Sequence, residues 1–500
     1  MAIATAAALM GAIVALYYHR LGLTLSHYDA RGHLIVARRV IDSMTPGWQQ
    51  IGAVWLPLPQ VINLLPVQID AFYRTGASAV AVSTVAFAIA SGAIASILLR
   101  VTESRVAAVL GAALFVLNPN VLYLQSTPMT EPLLLALTLV ALDLLMRWCD
   151  ARQGPRAAGD PASTGRPGLQ SCTGIVFALA CLTRYEAWPV TACALAAAAW
   201  ARWRDGEPMP VAARRTGAIA IYPAAAILAF VIESRVVGGT WFSASGFFVP
   251  ENKALDRPML ALAEIWWGAR ALTGTLTIVL AMVGFAGVLG IALFVRRRAA
   301  SLIALSLAAT AALPWAAFVK GHPFRIRYMV PLIAAQAIGA GAAAALVPSV
   351  APITAALVAL GIAADARPLS ALAPMVLEAQ WDRPNVAARQ HVTDCLRANY
   401  DGETIMASMG SLGHYMQEMS RDGFALRSFL HEGNGDIWLA ALAGPRRYAG
   451  WILIEEKAEG GDMLAILARQ QASFLEGYER VCEGAGVALY RRTTAPSPRP

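Results

Sequence analysis

Charge is what this sequence has least of. Of its 500 residues only 14% are charged, 57% are hydrophobic, and mean hydropathy is +0.53. A water-soluble domain carries roughly 25% charged residues, so the deficit excludes a chain that is soluble throughout and implies many residues facing lipid. Lysine is nearly missing, at positions 253, 320 and 457 only, and the net charge of +8 is carried by arginines in short clusters between apolar runs. No basic stretch is interleaved with aromatics, which sets nucleic-acid binding aside. Clusters of this kind set membrane orientation instead. No internal repeat is evident, which weighs against an inverted-repeat transporter. No glycine-rich phosphate loop occurs.

The six cysteines lack metal-ligand spacing. Cys149, Cys172, Cys181 and Cys193 fall in or beside apolar runs and read as small core residues. Cys395 and Cys482 lie near the C-terminus, and whether they pair depends on compartment and geometry.

What is present in abundance is long apolar segments. Hydropathy places about eleven membrane spans near 2–22, 76–99, 105–123, 131–147, 171–185, 187–201, 216–234, 271–295, 300–319, 328–346 and 350–365. Residues 2–18 have no preceding basic region and no cleavage site, so they read as a retained helix rather than a removed signal. The spans 171–185 and 187–201 are short, and are expected to tilt or to meet in a bend below the membrane surface. Arginines at 100, 105, 147, 152, 156, 166, 202, 204, 214, 215 and 296–298 all fall on one side, which should be cytoplasmic. The connections 23–75, 119–130, 235–270 and 320–327, and everything after about 366, then face outward.

The expected architecture is an α-helical polytopic membrane domain over 1–365 and a small periplasmic α/β domain over 366–492. A disordered tail follows at 493–500. In the C-terminal domain GETIMASMG, YAGWILIEE and GVALYRR read as strands and MLAILARQQASFLEGY as a helix.

Four stretches carry charges where apolar residues dominate. The first outer loop, SHYDARGHLIVARRVIDSMTPGWQQIG, holds an amphipathic helix expected to lie along the membrane face, with a second over 60–73. Asp29 opens the first helix, either as a capping carboxylate or as a functional one. In LNPNVLYLQSTPMTEP, Glu131 stands at the mouth of a membrane helix, as a first-turn acid favoured by the dipole or as a site residue. In CLTRYEAWPV, Arg184 and Glu186 either pair internally or line a polar cavity. In KGHPFRIRYMVPL, Lys320, His322, Arg325 and Arg327 place cations on the outer side, against the positive-inside trend. An anionic phosphate at the interface would account for them.

The order of these motifs resembles the GT-C superfamily of polytopic glycosyltransferases, most nearly the glycosyltransferase family 39 type that includes protein O-mannosyltransferases and aminoarabinose transferases. The resemblance rests on HYDA, NPNVLYLQSTPMTE, LTRYEAW and RIRYMVPL and covers roughly 1–365 in topology. It implies a sugar transferase in the inner (plasma) membrane. The donor would be a polyprenyl-phosphate-linked sugar, transferred with inversion to an acceptor at the outer face. Asp29 matches the family's first-loop general base, although the family's Asp-Glu pair is here Asp29-Ala30. Glu131 matches its second-loop acid. Arg327, Tyr328 and Pro331 match its late Arg-Tyr motif, which with Arg325 implies phosphate contact. Arg184 stands where relatives carry Lys or Arg. Some superfamily members bind a divalent ion between loop carboxylates, but Asp29 and Glu131 are too few ligands to assign one. The alternative class is a secondary transporter or flippase of lipid-linked or anionic substrates.

Overall fold

Long apolar helices dominate the chain because a backbone in lipid must satisfy its own N–H and C=O groups. In the computed structural model, among the described residues, seven helical stretches are long and apolar enough to cross a membrane. They are Ala2–Arg20, Ala77–Thr102, Glu131–Asp150, Met209–Val237, Thr275–Phe294, Arg296–Val319 and Ile326–Ala343. Residues 1–52, 54–151, 167–239, 241, 253–346, 349–365 and 367–493 are described; most of the expected cytoplasmic linker and the 494–500 tail lie outside them. Shorter apolar helices cover Arg105–Val116, Pro167–Cys181 and Ala351–Asp365. The chain is a multi-pass membrane protein with a small C-terminal sheet. It divides into two compact units, Met1–Leu21 with Ala53–Pro59 and Val80–Leu377, and Gly22–Gly52 with Gln60–Ala79 and Glu378–Pro500.

In the first unit the helix Val330–Ala343 is buried at all but one position, as its VPLIAAQAIGAGAA sequence, apolar all round, requires. Small residues let its neighbours approach closely. A Cβ at Gly339 would sit 2.7 Å from the carbonyl oxygen of Ala281, and one at Gly341 3.0 Å from Cα of Gly111. Outward faces are apolar too: Leu9, Ile13, Val85, Ile89, Met282 and Val283 are exposed, as lipid contact demands.

The short spans near 171–201 are the helices Pro167–Cys181 and Ala187–Arg204, separated by the five residues 182–186. A helix not anticipated, Pro258–Thr273, occupies part of the expected 235–270 loop. Glu264 and Arg270 depress its hydropathy, but Ala261, Ile265, Gly268, Ala269 and Leu272 are buried at helical spacing. Cys149 and Cys181 are buried, whereas Cys172 and Cys193 are exposed rather than in the core, as their positions on the outward faces of apolar helices permit.

The second unit is a five-stranded sheet in the order β2-β1-β3-β5-β4. The strands are β1 Ile405–Ala407, β2 Phe429–Leu430, β3 Trp451–Glu455, β4 Tyr478–Gly484 and β5 Val487–Arg492. β1 runs parallel to β2 and β3, and β5 antiparallel to β3 and β4. Ala485 (φ 51°) and Gly486 (φ 86°) join β4 to β5, the paired positive φ of a two-residue hairpin turn.

The segments Gly22–Gly52 and Gln60–Ala79 belong to this unit. Its helix Tyr28–Arg39 places Leu34, Ile35 and Ala37 in one core with Leu412, Tyr415, Met416, Phe429, Trp451 and Leu489. The apolar face expected against lipid is therefore buried in protein, where each large side chain contributes about 1.5–3 kcal/mol. Polar contacts fix the same packing: Asp42 accepts from the backbone N–H of Leu426 (3.3 Å) and Arg427 (3.2 Å), and Gln417 donates to the carbonyl of Tyr73 (3.0 Å). The expected helix over 60–73 is split into Leu58–Asn63, a 3-10 turn Pro66–Gln68 and Asp70–Thr75, with Pro66 as the breaker.

Candidate functional site

The first unit gathers four of the charged residues singled out in the sequence. Asn118 caps the turn Pro119–Leu124, its Oδ1 accepting from the N–H of Asn120 (2.9 Å) and Val121 (3.3 Å), with Pro119 at the first helical position. Ser83 then anchors the following turn by donating to the carbonyls of Thr127 (3.0 Å) and Met129 (3.2 Å). Glu131 opens the next helix, Glu131–Asp150, with its side chain fully buried. Thr130 sits at the N-cap but makes no capping bond; its Oγ1 instead accepts from Arg184 Nη1 at 3.1 Å.

Arg184 occupies the turn between Cys181 and Ala187. Its Nη1 donates to Glu131 Oε1 at 3.0 Å, its Nη2 to Glu186 Oε1 at 2.6 Å, and its Nε to both Glu186 oxygens at 3.1 and 3.2 Å. Arg327 brings Nε within 3.7 Å of the same Glu131 Oε1. Arg327 lies in the 3-10 turn Ile326–Met329, which runs into the helix Val330–Ala343 with Pro331 in its first turn. Two carboxylates and two guanidiniums thus form a buried cluster whose charges balance, the condition for holding them at this depth. Glu131 Oε2 is buried and has no hydrogen-bond partner among the described residues.

Beside the cluster, His322 Nδ1 lies 2.8 Å from the Pro323 carbonyl and Nε2 lies 3.2 Å from Tyr328 Oη. The carbonyl can only accept, so Nδ1 carries the proton and the tyrosine hydroxyl donates to Nε2. Burial, reinforced by Arg325 and Arg327, holds the imidazole below its ordinary pKa. Arg325 is half-buried, Lys320 is exposed, and the Arg327 guanidinium carbon lies 5.7 Å from the Tyr328 ring centroid. Glu131 does not suit a divalent ion, because two guanidiniums already face it. Among the described residues no group of three or more His, Cys, Asp or Glu side chains is placed to hold a metal.

Asp29 lies in the second unit. It is half-buried in the first turn of Tyr28–Arg39. The cap of that helix is His27, whose Nδ1 accepts from the Asp29 backbone N–H at 3.1 Å. The Asp29 carboxylate is therefore not the N-cap group.

A cavity of about 240 Å³ in the first unit was not anticipated. Asn118, Asn120, Arg270 and Arg367 give it polar walls, and Leu114 and Ile333 belong to its apolar lining. Neither arginine has a carboxylate partner among the described residues. Both stand at the ends of apolar stretches, the only sign of them that the sequence carries.

The same fold occurs in solved structures that match nearly the whole chain. Among solved structures, ArnT from Cupriavidus metallidurans bound to undecaprenyl phosphate matches with a TM-score of 0.57 at 12% identity, over 98% of this chain and 99% of that one. The apo form of the same ArnT matches with a TM-score of 0.56 at 13% identity, over 97% and 98%. An Archaeoglobus fulgidus oligosaccharyltransferase, in complex with Zn and sulfate, matches with a TM-score of 0.55 at 13% identity, over 95% of this chain and 71% of that one. At these identities the likeness is one of fold. No protein-family model matches the sequence, and no curated protein matches it.

Proposed function

We propose that this protein is a glycosyltransferase of the inner (plasma) membrane that moves a sugar from a polyprenyl-phosphate donor to an acceptor at the outer face, with inversion at the anomeric carbon. The sheet unit then faces the periplasm or cell exterior. The observation that carries this reading is the buried Glu131–Arg184–Glu186–Arg327 cluster within a fold shared, over nearly its whole length, with a protein solved in complex with undecaprenyl phosphate.

Asp29 takes the proton from the acceptor hydroxyl as that oxygen attacks the anomeric carbon. The bond to the phosphate oxygen breaks on the opposite face, and the lipid phosphate leaves with the electron pair. Arg325 and Arg327 stabilise that developing charge. Lys320 and His322, in the connection leading to the turn Ile326–Met329, and Tyr328 within it, frame the donor. Glu131 is too deeply buried to meet substrate, so it acts through Arg184 and Arg327 as a positioning group. Arg184 is engaged on every nitrogen by Thr130, Glu131 and Glu186 and belongs to the same scaffold.

The test is transfer of radiolabelled sugar from a polyprenyl-phosphate sugar in membranes containing the protein. Label appearing in an acceptor fraction only when the protein is present supports the reading. Movement of intact donor across the bilayer without cleavage would replace it with a flippase.

A further inference from the structure

We propose that Cys395 and Cys482 form a disulfide that staples the helix Val386–Asn399 to the edge strand β4. The inference rests on the extracytoplasmic placement of the sheet unit for its oxidising surroundings, but not for its geometry.

β4 is the last strand of the sheet and pairs only with β5. The helix Val386–Asn399 packs on one face of this strand and its neighbour β5. A Cβ at Gly484 would collide with the Ala388 carbonyl and come within 3.1 Å of Val392 Cγ2, so glycine lets helix and strand touch there. Residues 388, 392 and 395 share one helix face, and residues 482 and 484 share one face of the strand. The face that meets Ala388 and Val392 at Gly484 therefore presents Cys482 opposite Cys395. Both cysteines are half-buried against the core that contains Val392, Leu396 and Leu489, and Cys395 is a neighbour of the Cys482 thiol. The other four cysteines all lie on helices of the first unit.

The chemistry has an order. His391, one turn before Cys395, brings Nε2 to 4.0 Å from its Sγ. Burial and the neighbouring thiol push Cys482 up to about 12, which disfavours its thiolate, and Cys395 is the sulfur that lies beside the imidazole. Its thiolate attacks the disulfide of an oxidised extracytoplasmic protein dithiol, giving a mixed disulfide and one released thiolate. Cys482 loses its proton and displaces the second sulfur. Two electrons and two protons pass to the oxidant, which leaves as its dithiol.

The test uses the full-length protein. Purified protein is treated with oxidised glutathione, alkylated, digested with trypsin without reductant, and mapped by mass. The expected product is peptide 390–397 joined to peptide 481–491, lost on reduction and missing in Cys395→Ser and Cys482→Ser. No linked peptide from the folded wild type overturns the pairing. The same map is made on intact, untreated cells carrying Ser473→Cys as an exposed reporter in this unit, probed with an impermeant maleimide. Reporter labelled from outside, with the linked peptide present, supports the disulfide in the cell. Reporter labelled while both native thiols stay free overturns it. A reporter protected in intact cells removes the extracytoplasmic reading and the cellular disulfide with it, while the glutathione arm still decides whether the two sulfurs are paired.

Discussion

Arg184 and Glu131 are bonded at 3.0 Å with the carboxylate fully buried, and the same guanidinium holds Glu186 at 2.6 Å. Removing one member of such a group leaves its partners charged and unpaired, at a cost of about 3–5 kcal/mol. Arg184→Met is therefore expected to lower the thermal unfolding midpoint of the detergent-solubilised protein sharply. Adding Glu131→Gln and Glu186→Gln neutralises the stranded carboxylates and should recover most of that loss. If the triple variant is no more stable than the single one, the cluster is not held together by charge pairing.

Arg327 is proposed to serve the donor phosphate as well as Glu131. Arg327→Ala is expected to weaken donor binding by about 1–3 kcal/mol, the value of lost charged hydrogen bonds. Arg270→Ala at the cavity separates the two cationic sites. If Arg327 holds the phosphate, the Arg327 variant loses most donor affinity and the Arg270 variant least. Titration of each variant with a polyprenyl-phosphate analogue reads this directly, and the reverse order would move the phosphate to the cavity.

Asp29 is half-buried at the start of its helix, and its backbone N–H is already capped by His27. Its carboxylate is thus not needed to begin the helix. Asp29→Asn should leave expression and donor affinity near wild type while abolishing sugar transfer. Transfer at the wild-type rate in that variant would remove Asp29 from the mechanism.

What was legible in the sequence follows from the range of each signal. Long apolar runs announce membrane helices because lipid contact needs many consecutive residues. Pro258–Thr273 escaped because Glu264 and Arg270 interrupt its hydropathy. β1, β3 and β5 were readable as apolar runs, whereas β4, YERVCEG, is an edge strand with polar residues on both faces, and β2 has only two residues. The pattern of Tyr28–Arg39 was read correctly as amphipathic, but an apolar stripe does not say whether protein or lipid receives it. The pairing of Arg184 with Glu186 was one of two open readings, being local. The approach of Arg327 to Glu131 was not visible as a contact, because the two are far apart in the chain.

Two buried histidines predict how the sheet unit answers acid. Burial, with Arg389 acting in the same sense, holds His414 down at about 3, and burial with Arg39 holds His431 at about 3. The folded state therefore binds fewer protons than the unfolded one between the ordinary histidine value of about 6.5 and about 3, and stability falls as pH is lowered through that window. Asp462 opposes this, since burial pushes it up to about 6 and the folded state takes up its proton early. Two histidines lowered from 6.5 to about 3 outweigh one aspartate raised from 3.8 to about 6, at about 1.4 kcal/mol for each tenfold change in proton affinity. Between pH 7.5 and 5 the net loss is expected to be about 3 kcal/mol. Hydrogen exchange of β1 and β3, corrected for intrinsic rates, should show that loss of protection, reduced in His431→Gln. Equal protection at both pH values would contradict it.

Gly284 and Gly290 lie on the same helix, Thr275–Phe294, and test whether small residues hold this bundle together. A methyl group at Gly284 would collide with the carbonyl of Gly339 and sit 2.9 Å from the backbone nitrogen of Ala343, atoms that cannot rotate away. At Gly290 nothing lies within 4 Å of the same methyl. Alanine is the better helix former by about 0.5–1 kcal/mol, so Gly290→Ala should raise the unfolding midpoint slightly. Gly284→Ala gains the same propensity but must push two helices apart, an overpacking cost of about 1–3 kcal/mol, so its midpoint should fall. Opposite signs for one substitution in one helix can come only from the neighbouring backbone. If both variants shift the same way, the close contact between these two helices is not what stabilises them.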